Sequence, residues 1–148
     1  MEQEIIRRLT GTTRRTPEGG YAVRLINNTG ARSVKGTVVS TDTAIDKAVR
    51  VCVANSVVPF GVMYDEADNG KMCWVVISGL AEVLIKDGTE AVKGDWVGMS
   101  DANGRAYTAA HSGTTPPETA VHNRELGHCL ESKSAGSDVL ALIALHFN

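Results

Sequence analysis

At 148 residues, with 15 basic side chains against 17 acidic ones, the chain carries a formal net charge of −2 at pH 7. That length suits one domain able to bury roughly 70% of its unfolded-chain surface. The balance of charge argues against a broad nucleic-acid-binding face, and an aromatic content of 5% argues against a row of base-stacking platforms.

Residues 1–20 read as an irregular N-terminal arm. Arg7, Arg8, Arg14 and Arg15 outnumber Glu2, Glu4 and Glu18, while Gly11, Pro17, Gly19 and Gly20 disfavour a regular element. The charged start lacks the apolar core of a secretory signal. From Tyr21 a single β domain is expected to run through residue 148. Tyr21 to Ile26 alternates like a half-buried strand and closes on a turn at Asn27 to Gly30, which is the better account of the Asn27-Asn28-Thr29 sequon. Val34 to Val39 predicts a second strand. Thr41 to Val49 leaves room for at most one helical turn, capped by Asp42.

Val49 to Val53 and Val57 to Met63 are β-branched and apolar, with Pro59 marking a strand start, edge or bulge. Asp65 to Gly70 predicts a loop, Met72 to Ile77 a strand, and Val83 to Lys86 another that turns at Asp87-Gly88. Val92 to Val97 leads into the next strand, and Asn103-Gly104 turns again. Residues 109–123 read as a long projecting loop, with room for a helical turn after Pro117. Leu126 to Leu130 and Val139 to Phe147 complete the set, the last being apolar on both faces and therefore expected to be central and covered on both sides. Short strands at such spacing predict a mainly β fold, a compact β-barrel or β-sandwich with at most short helical turns.

Each chemical constellation has a structural alternative. Gly98-Met99-Ser100-Asp101-Ala102 falls one residue short of a nucleophile elbow. His122 and His128, with Cys129 adjacent, match no common zinc spacing. Asp65 to Gly70 opens like a calcium loop, but Ala67 and Val76 occupy positions that need oxygen ligands. Neither a P-loop nor a Gly-x-Gly-x-x-Gly motif is present. Cys52, Cys73 and Cys129 read as small apolar residues in strands, and three widely spaced thiols suit synthesis in a reducing host cytoplasm. No apolar run approaches the ~20 residues of a membrane span. No cofactor, metal or catalytic residue is expected.

The order of Val34-Lys35-Gly36-Thr37-Val38, Val57-Val58-Pro59-Phe60-Gly61-Val62 and Val75-Val76-Ile77-Ser78-Gly79-Leu80-Ala81 resembles the capsid cement or decoration proteins of tailed phages. Val92-Lys93-Gly94-Asp95-Trp96-Val97, a turn at Gly104, Leu126-Gly127-His128-Cys129 and a closing apolar strand continue the likeness, which covers Ser33 to Asn148. The arm is longer than that pattern requires, and residues 109–123 look like an insertion.

The resemblance implies a non-enzymatic virion protein on the outside of an icosahedral shell. Its partner would be the major capsid protein, and its assembly a homo-oligomer, with a trimer favoured; no nucleic acid or membrane is involved. Arg7, Arg8, Arg14 and Arg15 would pair with carboxylates on the shell or an adjacent copy, so removing residues 2–17 is expected to spare the fold and weaken particle binding. The alternatives are a generic β-barrel adaptor or ligand-binding module and, less favoured, a hydrolase using Ser100 with a histidine or a metal held through His122 and His128.

Overall fold

Strands form where the β-branched and apolar runs lie. The computed structural model describes residues 12–110 and 122–147. In chain order its strands are β1 (Thr13–Arg15), β2 (Gly20–Asn27), β3 (Val38–Thr41), β4 (Ala48–Val51), β5 (Gly61–Met63) and β6 (Met72–Leu84). They continue with β7 (Trp96–Met99), β8 (Ala106–Ala109), β9 (Glu125–Cys129) and β10 (Leu140–Leu145). The chain is thus mainly β, and its strands join in one sheet ordered β1-β2-β4-β3-β5-β6-β10-β9-β7-β8.

A further β2–β6 pairing links β2, β4, β3, β5 and β6 in a closed circuit. The strands β6, β10, β9, β7 and β8 form a second circuit, completed by a parallel bridge from Ile85 to Ala106. β6 belongs to both. Closing pairings in this way leaves few open strand edges.

The 13 residues of β6 were expected as two strands separated near Ser78-Gly79. A bulge keeps them one. Tyr21 pairs with Ser78 while Ala22 pairs with Val76, so Ile77 is the extra residue. An inserted residue swaps the faces of everything beyond it. Cys73 and Val75 therefore pack with Val39, Val49 and Met63, whereas Val76, Ala81 and Val83 share a core with Ala22, Ile85, Leu126 and Ile143. Gly79 has φ +78°, and a Cβ there would lie 2.5 Å from the Gly19 carbonyl oxygen. Only glycine fits such a close approach of two backbones.

Other boundaries also moved. The strand expected at Val34 begins at Val38, because Gly36 first turns the chain at φ +91°. Thr41 to Val49 holds no helical turn: Asp42 Oδ1 accepts hydrogen bonds from the Ala44 and Ile45 amides at 2.7 and 2.9 Å, making a turn before β4. The run from Val57 shortens to β5, since Pro59 offers no amide and the Val58 amide donates to Ser56 Oγ at 3.1 Å. β10 does lie between β6 and β9. It is covered on one face only: Ala141, Ile143 and Leu145 are buried, while Leu140, Leu142 and Ala144 are half-buried. Of the loop expected over 109–123, residues 111–121 lie outside the described residues.

Candidate partner-binding surface

Thr16-Pro17-Glu18-Gly19 forms a tight turn in which the Gly19 amide donates to the Thr16 carbonyl at 3.0 Å. Pro17 presets its own φ, Gly19 supplies φ +101°, and buried Thr16 accepts the Gly20 amide on Oγ1 at 2.9 Å. Pro17 and Gly19, expected to disfavour a regular element, instead make the turn of a hairpin. They fold Thr13–Arg15 back onto β2, with Arg14 opposite Ala22 and Arg15 opposite Tyr21. Removing residues 2–17 would therefore take out a strand as well as the segment before it.

This hairpin places two of the four expected arginines. Arg14 and Arg15 are exposed on β1, which ends the sheet; Arg7 and Arg8 lie outside the described residues. The Arg14 guanidinium carbon sits 5.0 Å from both the Tyr64 and the Trp74 ring centroids. Lys35 Nζ lies 5.1 Å from the Tyr64 centroid, 3.2 Å from Glu18 Oε1 and 3.8 Å from Glu82 Oε2. Burial alone would raise the Glu18 carboxyl, but a backbone hydrogen bond and Lys35 outweigh it and hold it below its ordinary value. Burial likewise opposes the charge on Lys35, yet Glu18 and Glu82 raise its pKa overall. A cationic edge resting on two aromatic rings is the result. The aromatic contribution was missed because Tyr64 and Trp74 are remote from Arg14 in sequence.

The connection from β4 to β5 contributes a second kind of surface. Val53, Val57 and Val58 are 57, 46 and 65% exposed, although β-branched residues were expected to enter strands there. Three valines of one short connection are thus exposed to solvent.

The residues weighed for other chemistry have structural partners. Ser100 is buried; its hydroxyl donates to the Arg105 carbonyl at 2.6 Å and accepts the Ala102 amide at 3.1 Å, closing the turn after β7. Asp101 lies 2.6 Å from Lys86, whose hydrogen bond and charge hold its carboxyl below the ordinary range. In the loop once compared with a calcium site, Asp65 accepts the Trp74 amide and Asp68 pairs with Arg32 at 2.8 Å. Asn27 is buried and donates to the Ala31 and Ala67 carbonyls, a turn-forming role. Cys52, Cys73 and Cys129 are buried free thiols, and burial together with Asp65 pushes Cys73 up to about 11. His122 lies 3.3 Å from Glu125, and His128 lies 2.7 Å from His146. Among the described residues, no helix is long and apolar enough to cross a membrane.

A family model described as phage cement protein matches residues 16–145. Among solved structures, the N base of the head fiber protein gp8.5 of bacteriophage phi29 is similar in fold, with a TM-score of 0.58 at 13% sequence identity. The likeness covers 84% of this chain and 92% of that one. No curated protein matches the chain in sequence.

Proposed function

Because the chain belongs to the phage cement protein family and so acts as a capsid-stabilising structural virion protein, we propose that it seats on the outer shell surface through its β1 edge. The family match over residues 16–145 is the observation that carries the capsid role; the exposed arginines of β1 at the end of the sheet support the choice of edge. The fold shared with the base of a phage head fiber agrees with a place on the head. The exposed Arg14 and Arg15 offer paired cations to carboxylates of the major capsid protein or of an adjacent copy. Arg7 and Arg8, which lie outside the described residues, would add cations of the same kind from the segment that precedes β1.

Tyr64 and Trp74 support this assignment for Arg14. A guanidinium held against two rings loses less rotamer freedom on docking than a free side chain does. We take the unit as a trimer, since several modest contacts acting together raise avidity without new chemistry. We also read the two strand circuits as small barrels sharing β6, a closed and stiff body suited to bracing a shell.

The test is occupancy on purified capsids, compared between wild type and an Arg14→Glu/Arg15→Glu variant. Occupancy should fall severalfold while the circular dichroism of the free protein is preserved. Wild-type occupancy by the folded variant would reject the β1 edge as the docking surface.

A further inference from the structure

A bulge in β9 gathers three metal-ligating side chains that alternation along a strand would separate. His128 pairs with Trp96 and Gly127 with Val97, but Gly98 pairs with Glu125, so Leu126 is the extra residue. Glu125 and His128 are three apart and would normally face opposite sides. The bulge restores them to the same side, since their partners Trp96 and Gly98 are two apart on β7. His146 joins them from the end of β10. Its amide donates to the Leu126 carbonyl at 2.9 Å, which puts it diagonal to His128, itself opposite Ala144.

The ligand atoms converge. His128 Nδ1 and His146 Nε2 are 2.7 Å apart, with the rings stacked at a centroid distance of 4.9 Å. His146 Nε2 is 3.5 Å from Glu125 Oε1, and one ligand atom from each of the three residues lies within 4.8 Å of the others. Around a divalent ion with bonds of about 2.0–2.2 Å, tetrahedral ligand atoms stand roughly 3.3–3.6 Å apart. Of the two shorter edges, 3.5 Å falls within that spacing and 2.7 Å lies below it, so the two rings would part slightly to admit the ion. Glu125 is buried, whereas His128 and His146 are exposed, so the carboxyl group forms the floor of the site and the two rings its open mouth. His122 Nδ1 lies 3.3 Å from the other Glu125 oxygen, the position of a group that orients a ligating carboxylate.

We propose that Glu125, His128 and His146 form a site for a borderline first-row divalent cation of the Zn²⁺ class, with solvent or a neighbouring group completing the coordination. Two imidazoles and one carboxylate match such ions and not Mg²⁺ or Ca²⁺, which take oxygen ligands. At 2.7 Å one imidazole must donate to the other. The ion takes one lone pair from each ring, so the hydrogen on the donating nitrogen moves to the other nitrogen of the same ring, a change of tautomer. The bound ion would cross-link β9 to the end of β10 and stabilise the folded chain by mass action.

The experiment uses the full chain freed of metal by a chelator. Micromolar Zn²⁺ should raise its melting temperature by roughly 5–10 °C if saturating, and Co²⁺ should show the visible bands of a low-coordinate nitrogen- and oxygen-ligated site. Mg²⁺ should do neither. His146→Ala removes an exposed side chain, so it should fold and lose both responses. Absence of the Zn²⁺ shift and Co²⁺ bands in wild type would overturn the assignment. Their retention in His146→Ala would do so equally, by placing the ion elsewhere.

Discussion

The Arg14 guanidinium rests 5.0 Å from the Trp74 ring centroid, joining the outermost strand of the sheet to the strand that both pairing circuits share. Trp74 lies on β6 opposite Arg24, and β1 reaches it by folding back across β2. A surface charge is thereby tied to the scaffold, so its removal should be felt in both stability and docking.

Arg14→Ala should cost about 0.5–1 kcal/mol of stability, the range of exposed cation–π contacts. Arg14→Lys keeps the charge but loses the planar stacking and the fork of donors, so it should recover only part of capsid occupancy. Urea unfolding of the free protein, paired with sedimentation on capsids, separates the two effects.

Gly127→Ala should be the most damaging small substitution in the second circuit. A Cβ there would stand 1.8 Å from the Ala144 carbonyl oxygen, at a backbone φ of +152°. β9 would have to move away from β10, at a cost of about 2–5 kcal/mol from overpacking and strain together. A melting temperature within a degree or two of wild type would contradict this.

Arg105→Ala should destabilise by about 1–2 kcal/mol at low ionic strength. Arg105 donates to Asp87 at 3.0 Å and to Asp138 at 2.5 Å, and the Asp138 amide donates to Asp87 at 2.9 Å, so one side chain ties two loops. The difference from wild type should shrink in 1 M salt, where partly exposed ion pairs are screened. Denaturant midpoints at the two salt concentrations measure it.

The Glu18–Lys35 pair predicts an acid limb in stability. Folding depresses the Glu18 carboxyl, so its contribution is complete above the ordinary value of 4.5 and is lost as pH falls through the lower folded value. Lys35 acts with the opposite sign: its contribution is complete below 10.5 and is lost as pH rises through the higher folded value. Lys35→Met should flatten both limbs in urea midpoints taken across pH, leaving the remaining carboxylates to set the residual slope.

Thiol reagents should find the native chain inert near neutral pH. Burial raises the Cys52 and Cys129 thiols, and burial with Asp65 takes Cys73 to about 11, so little thiolate is present to react. All three should react after denaturation. Rapid labelling of the folded protein would show that one of these core strands opens.

What the sequence alone determined was local: where the backbone can turn and where it extends. Asp87-Gly88, Asn103-Gly104 and Asn27 to Gly30 turn because their residues accept positive φ or bond nearby amides, and the β-branched runs between them become strands. The family resemblance rested on this same punctuation. Thr16-Pro17-Glu18-Gly19 obeys the same rule, although within an irregular arm its residues signal a hairpin only once β1 is seen to pair with β2. Tertiary structure alone decided which face each strand presents and which distant side chains meet. The extra residues Ile77 and Leu126 reset alternation within a continuous strand, moving Ala81 and Val83 into the core and Glu125 beside His128. A bulge is specified by the register of its partner strand, so no period within β6 or β9 reveals it. The contacts of Arg14 with Trp74 and of His128 with His146 depend likewise on pairing between segments far apart in the chain.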